Sequence, residues 1–227
     1  MKSVCHVAKI PKNGVFIPIQ RGQTRSSDYD YHCYQMYPAD NHFEDITFTV
    51  DTIAANGILP GIYEGCRFEG CDLSSRSLNG LWFIDSTFNN CNLSNANLTG
   101  STWNGVWIRD CQAMGLAFGD CHSALYDVHF EGCRLDYSSF LKSPLRGARY
   151  IRCSLLQVDF SGADLREADF SLSILTAALF KDCNLEKCDF REAIDFGIDP
   201  SCNRMRDARF APDALEGLLR KYGLNIR

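Results

Sequence analysis

The sequence predicts an all-β repeat protein built from five-residue units, and two observations carry that prediction. Read at every fifth position from Phe48, the chain gives Phe48, Ile53, Ile58, Tyr63, Phe68, Leu73, Leu78, Phe83, Phe88, Leu93, Leu98, Trp103, Ile108, Ala113 and Phe118, all large and apolar except Ala113. The phase then slips by two residues and resumes at Leu125, Phe130, Leu135 and Phe140, continuing to Phe190. A helix or an ordinary half-buried strand has a period of 3.6 or 2, and neither yields this spacing. The second observation is a small residue two places before each large one, as in Cys66, Cys71, Cys91, Ala96, Ser101, Ala163 and Ala168. Arg76, Leu81, Val106, Leu116, Val128 and Val158 are the exceptions.

Units such as Asn-Ala-Asn-Leu-Thr (95–99), Gly-Ala-Asp-Leu-Arg (162–166) and Glu-Ala-Asp-Phe-Ser (167–171) follow a small–polar–Leu/Phe–polar–polar rule. On these units the chain resembles the pentapeptide-repeat family over residues 43–193. The resemblance implies a right-handed quadrilateral β-helix, with one face from each unit and one coil from four. Side chains twenty residues apart should then stack, and corrected for the slip they do match. One column reads Phe68, Phe88, Ile108, Phe130, Tyr150, Phe170, Phe190, and five cysteines fall into one file, Cys71, Cys91, Cys111, Cys133 and Cys153. The slip is therefore a local insertion within 119–124.

The twelve cysteines fit this scheme as small apolar fillers. Stacked side chains point the same way, which frustrates the disulfide dihedral, so reduced and buried thiols are expected. No apolar run reaches the ~18 residues of a membrane span, and the first residues lack a secretory signal pattern. A cytoplasmic chain without membrane contact is expected. The net charge of −5 argues against direct binding of nucleic acid. Phosphate-cradling glycine loops, nucleophile elbows and zinc-type spacings are missing. Cys5/His6, His32/Cys33 and Cys121/His122 are neighbours, and adjacent strand residues point to opposite faces. No metal, no cofactor and no enzymatic activity are expected.

Three segments follow: an N-terminal extension and cap over 1–42, the repeat over 43–195, and a C-terminal cap and dimerisation helix over 196–227. In the first, Val15, Ile17 and Ile19 alternate like a strand, and Pro18 places it at an edge. Gln20 to Asp28 reads as a loop, and the aromatic run Tyr29–Tyr37 as a lid over the first coil. In the last, Pro212 and Asp213 begin a short C-terminal helix over 213–222 that Gly223 stops. Leu215, Leu218, Leu219 and Tyr222 share one face of it, either capping their own rod or forming a two-fold dimer.

Function on such a rod must sit on outward positions, loops and ends. Two adjacent faces carry twelve acids against eight bases. The repeat length, the insertion and the ending around Ile198-Asp199-Pro200 and Leu-Leu-Arg-Lys-Tyr-Gly resemble the topoisomerase-protecting members: the Qnr-type quinolone-resistance proteins and the immunity proteins of gyrase-poison producers. That resemblance implies a DNA-mimicking homodimer joined through its C-terminal helix, engaging DNA gyrase or topoisomerase IV. It assigns the phosphate-like role to Asp164, Glu167, Asp169, Glu186, Asp189 and Glu192. It assigns enzyme contact to the insertion, Gly119, Asp120, Cys121, His122, Ser123 and Ala124. The other reading is a passive interaction scaffold with a different partner. The N-terminal 42 residues, the shortness of the insertion and the mild acidic bias depart from the topoisomerase-protecting pattern.

Overall fold

Apart from its corner turns, a coil of this kind leaves its backbone N–H and C=O groups to be satisfied by the coils on either side. The computed structural model describes residues 6–9, 17–20, 41–122 and 126–225, and its pairing is parallel and coil to coil throughout the repeat. Phe48 pairs with Phe68, Phe68 with Phe88, and Phe88 with Ile108, each twenty residues on. Across the insertion the step is twenty-two, with Val106 against Val128 and Ile108 against Phe130. It then returns to twenty, with Phe130 against Tyr150 and Asp169 against Asp189. The molecule is the parallel quadrilateral β-helix that the sequence predicts. Early coils carry short strands, from β3 (Asn41–Glu44) and β4 (Thr47–Thr49) to β9 (Thr102–Arg109) and β10 (Tyr126–Glu131). Later coils keep one bridge per face.

Corners explain the unit length. In the later coils the third residue after each central one donates its N–H back to it, as Ser138 to Leu135 at 3.1 Å and Ala163 to Phe160 at 2.9 Å. The residue before that donor then has a left-handed backbone, which a type II turn requires. Tyr137 and Glu167 both have φ of 63° there, and Gly162 has 70°.

In the early coils Phe43, Tyr63, Phe83 and Trp103 form one aromatic file, and in the later coils two others fill the interior. Phe130, Tyr150, Phe170, Phe190 and Phe210 stack with ring centroids 5.3, 5.0, 4.9 and 5.2 Å apart. Phe118, Phe140, Phe160 and Phe180 stack at 4.8, 5.2 and 5.1 Å. The files meet edge to face, Phe160 against Phe170 at 5.7 Å and 84°, the arrangement aromatic quadrupoles favour. Leucines such as Leu155, Leu175, Leu165 and Leu185 close the remaining two sides and are buried. At the small position the interior also accepts Leu81, Val106, Leu116, Val128 and Val158, all buried, whereas Arg76 is exposed.

The cysteine file stands as one column. The Cys71 N–H donates to Cys91 Sγ at 3.3 Å, and the Cys91 N–H to Cys111 Sγ at 3.1 Å. The thiols of Cys71, Cys91, Cys111 and Cys133 donate in turn to carbonyls of the preceding coil, Cys91 to Phe68 at 3.3 Å and Cys133 to Ile108 at 3.2 Å. Only the protonated thiol can make that bond. The ten described cysteines are free. Elsewhere in the core, burial pushes the thiols of Cys66 and Cys188 up to about 12.

The ends differ from expectation in identifiable ways. Ile53 does not sit on a flat face: Val50–Asn56 forms a helix, α1, whose Ile53 is still buried. The unit Asp-Thr-Ile-Ala-Ala has no small residue at its first position, and Thr49 and Thr52 close a capping box that starts the helix. Ile17–Gln20 is a strand, β2, with Pro18 on it, and among the described residues it lies at the sheet edge, paired to β1 (His6–Lys9) alone. β1 runs parallel to β3 and extends the ladder beyond the first coil. Val15, residues 21–28 and the Tyr29–Tyr37 run lie outside the described residues. At the other end, Asp195 breaks the apolar pattern, but Phe196 and Ile198 are buried in its stead. The ladder resumes with Asn184 against Arg204 and Asp189 against Arg209.

Three buried hydroxyls, those of Thr102, Ser143 and Tyr150, have no partner among the described residues. Tyr63 donates its hydroxyl to the Leu59 carbonyl at 2.6 Å, but the fully buried Tyr150 hydroxyl has none among the described residues. An orphaned buried donor costs about 1–3 kcal/mol. Tyr150→Phe should therefore raise the thermal midpoint, by about 2–4 °C per kcal/mol for a chain of this size. Calorimetry of the two proteins checks this, and a lower midpoint for the variant would show that the hydroxyl is bonded.

Candidate partner-binding surfaces

Because side chains pack the interior, only outward positions, ends and the insertion present chemistry to a partner. The predicted acidic positions do line up along two adjacent faces, but most of them are ion-paired. Asp164 meets Arg166 at 2.5 Å, Glu167 meets Arg146 at 2.9 Å, and Glu186 meets Arg206 at 3.4 Å. Asp189 meets Arg191 at 2.7 Å and Arg209 at 3.6 Å. The neighbouring guanidiniums of Arg166 and Arg191 hold the Asp164 and Asp189 carboxyls below the usual range. Asp169 accepts from the Ser171 N–H and hydroxyl, and like Glu192 it has no ion pair among the described residues. The acids thus form a zwitterionic surface rather than a bare negative stripe. Spacing in sequence gave the rows; the ion pairs between coils arise only once the twenty-residue stacking brings arginines beside them.

The insertion is largely woven into the coil. Phe118–Asp120 is a 3-10 turn, the Gly100 N–H donates to the Asp120 carbonyl at 2.9 Å, and Gly119 packs under the Leu141 backbone. Cys121 still stacks over Ser101, and the His122 N–H donates to the Ser101 carbonyl at 2.8 Å. The extra residues therefore enter after Cys121. Burial pushes its thiol up to about 12. The His122 ring lies 6.5 Å from that of Trp82. Ser123 and Ala124 lie outside the described residues.

The predicted C-terminal α-helix is instead two 3-10 segments, Pro212–Leu218 and Arg220–Tyr222. Gly217 explains the tighter winding: it is buried so close to Phe196 that a Cβ would come within 2.5 Å of the ring. Three residues per turn separate side chains that an α-helix would align. Leu218 packs on the core, while Leu215, Leu219 and Tyr222 are 46%, 38% and 60% exposed. The cap is fastened by Arg220 to Asp195 and Lys221 to Asp199, both at 2.5 Å, and by the Ile198 N–H to the Gly217 carbonyl at 3.0 Å.

Sequence reasoning missed one surface. Leu172, Ile174, Leu179 and Ile194 occupy outward positions and are about half exposed, with Ile174 directly in register with Ile194. Their signal was an aliphatic residue beside the central one, in the units Leu-Ser-Ile-Leu and Ala-Ile-Asp, where most units place a polar residue. Among the described residues, no group of three or more His, Cys, Asp or Glu side chains is placed to hold a metal ion, and no helix is long and apolar enough to cross a membrane.

A closed solenoid of five-residue faces with its chemistry on outward positions defines a class of repeat protein. The family profile described as pentapeptide repeat region matches residues 62–140 and 122–190, more than half of the chain, and the protein belongs to the pentapeptide-repeat family. No curated protein matches the sequence. A solved structure of trypsin-treated QnrB1, described as a plasmid-mediated fluoroquinolone resistance protein, is similar at 19% identity with a TM-score of 0.57, over 81% of this chain and 99% of that one. HetL from the cyanobacterium Nostoc, described as involved in heterocyst differentiation regulation, is matched at 16% identity with a TM-score of 0.42, over 74% of this chain and 88% of that one.

The cap's ion pairs make a pH prediction. Lys221 holds the Asp199 carboxyl down to about 2, helped by Ser201, and Asp199 raises Lys221. The depressed carboxyl stabilises the cap above its unfolded value of about 3.9 and stops doing so as pH falls through about 2. The raised ammonium stabilises it below about 10.4 and stops doing so at higher pH. Lys221→Met should speed exchange of the Ile198 amide near pH 6, and the difference from the parent should fade as pH falls below about 4. An unchanged difference near pH 2 would show that the pair does not fasten the cap.

Proposed function

We propose that this protein is a non-catalytic binding rod, without cofactor, that protects a cytoplasmic type II topoisomerase, DNA gyrase or topoisomerase IV, from quinolones or from peptide or other natural-product poisons. The observation that carries the proposal is the display of Asp164, Glu167, Asp169, Glu186, Asp189 and Glu192 on two adjacent faces near the C-terminal end, on a fold like that of a fluoroquinolone resistance protein. Their partners do not prevent engagement of a cationic surface. Exposed ion pairs contribute only about 0–1 kcal/mol, so Arg146, Arg166 and Arg206 can yield their carboxylates to lysines and arginines of a partner. Recognition of this kind is an exchange of ion pairs, and it weakens with salt.

In this reading two copies join end to end through Leu215, Leu219 and Tyr222, whose exposed apolar surface is otherwise left in water. The insertion, with His122 at its described edge, is the second contact with the enzyme. A different partner held by a passive scaffold is the other reading, and the exposed cluster of Leu172, Ile174, Leu179 and Ile194 favours it, since apolar patches mark protein contacts.

Supercoiling by purified gyrase inhibited with ciprofloxacin provides the test. Added protein should restore supercoiled product, and Leu219→Glu should sediment as a monomer and restore less. Absence of rescue at every protein concentration would remove the topoisomerase reading. Capture of another partner that Ile174→Asp abolishes would establish the scaffold in its place.

A further inference from the structure

One corner of the rod changes character along its length. Between the face of Phe170 and the face of Leu175, the earlier coils turn on Gly70, Asn90, Asp110 and Gly132, all left-handed with φ of 51–64°. Glycine, asparagine and aspartate are the residues that tolerate such a backbone. The next coils turn on Arg152 and Leu172, still left-handed with φ of 53° and 59°, and Glu192 follows them. The three occupy successive coils: the Arg152 N–H donates to the Ser171 carbonyl at 3.0 Å, beside Leu172, and the Leu172 N–H donates to the Glu192 carbonyl at 3.2 Å. Long side chains cost stability on this backbone, and residues kept at such a cost cluster where a surface is used. Leu172 is also half exposed, so the chain's own core does not repay it.

The face beside this corner is apolar and flat. Ile174 and Ile194 are in register on it and half exposed, and the opposite corner carries only Ala177 and Gly197. The charges around it are mostly settled within the chain. Arg134 meets Asp136 at 2.7 Å, and Asp195 takes Arg220 and the Thr176 hydroxyl. Asp110 lies two coils before Arg152 at the same corner. Arg152 meets Glu131 at 2.8 Å through one nitrogen of its fork, and Glu131 also has Arg109 at 3.4 Å. Arg152 therefore has donors to spare. Glu192 has no ion pair among the described residues, since the adjacent Arg191 lies on Asp189 at 2.7 Å.

Arg152, Leu172 and Glu192 read basic, apolar, acidic along one line. A two-fold axis crossing the rod at Leu172 reverses that line. It sets Arg152 of each protomer against Glu192 of the partner subunit, with Leu172 on Leu172 and Ile174 on Ile174 between the two ion pairs. We propose that a second copy of this chain docks here, face to face and antiparallel. The opposite charges stand one coil to either side of the apolar centre, which is the pattern a self-complementary contact requires. The line spans three coils, about 15 Å of rod at ~4.8 Å per coil. That is small beside a permanent interface, so the association is weak. The contact is separate from the end-to-end contact of the cap and independent of the topoisomerase reading. It gives to a second copy the aliphatic cluster that the scaffold reading gives to another partner.

Sedimentation of the full-length protein carrying Leu219→Glu reads this contact without that of the cap. Association should appear at about 10–100 µM, and Ile174→Asp should abolish it. Arg152→Glu and Glu192→Arg should each weaken it about tenfold, because each sets like charges together. An equimolar mixture of those two variants should associate as tightly as their parent, since every charge pair is restored in the mixed dimer. Misfolding of either variant would not produce that recovery. The proposal fails if the protein stays monomeric at about 1 mM, which would leave the face to a different protein or to lipid. It fails equally if both charge variants associate as their parent does, or if their mixture associates no better than either alone.

Discussion

Everything in this molecule depends on a single closure condition: a coil must return to its starting angle, in twenty residues or in twenty-two where the insertion enters, so that the N–H groups along each face meet carbonyls one coil away. The Leu face shows how strictly it is kept. The N–H groups of Leu73, Leu93, Ala113, Leu135 and Leu155 donate to the carbonyls of Asn92, Gln112, Arg134, Ser154 and Ile174 at 2.7–2.8 Å. The same condition stacks Phe on Phe and Cys on Cys, since residues a coil apart share one direction. Packing and hydrogen bonding therefore reinforce each other, and neither is met by a single coil alone.

Closure also governs the surface. Outward residues one coil apart are brought within side-chain reach, so charge on such a rod is set by columns rather than by composition. Arg146 reaches Glu167 and Arg152 reaches Glu131 because each pair lies twenty-one residues apart. The result is a rod with distinct sides. One carries the zwitterionic rows, continued in earlier coils by the guanidinium–indole cluster on β9 and β10 since Asp169 is in register with Arg149, and another carries the exposed aliphatics Leu172, Ile174 and Ile194. The ends are irregular for the same reason: without a further coil their backbone needs other partners, supplied by β1 at one end and by the cap turns at the other.

Much of this was legible in the sequence. The column from Phe68 to Phe190, the cysteine file and the two-residue slip all read directly from spacing, because one large and one small interior residue per unit leave a period that nothing else imitates. Even the edge strand at Ile17–Gln20 was visible through Pro18. The helix α1 was not, because Ile53 kept the apolar phase while the turn chemistry around it had already changed. The 3-10 cap was not, because its tightness comes from Gly217 meeting Phe196, a contact between distant segments. The arginines of the acidic rows were counted on their faces, but which acid each one meets was hidden, because a count per face does not place side chains coil by coil. The exposed aliphatics were hidden by attention to acids.

Removing whole coils measures closure most directly. Deleting residues 151–170 joins Tyr150 to Ser171, which occupies the same place in the coil as Ile151, so every column and every ladder bond is restored one coil shorter. Deleting residues 151–168 removes nearly as much chain but rotates the rest of the rod out of register. The twenty-residue deletion should yield a soluble protein that keeps its β-type circular dichroism and melts cooperatively, and the eighteen-residue deletion should lose both. Equal stability of the two shortened proteins would contradict the account.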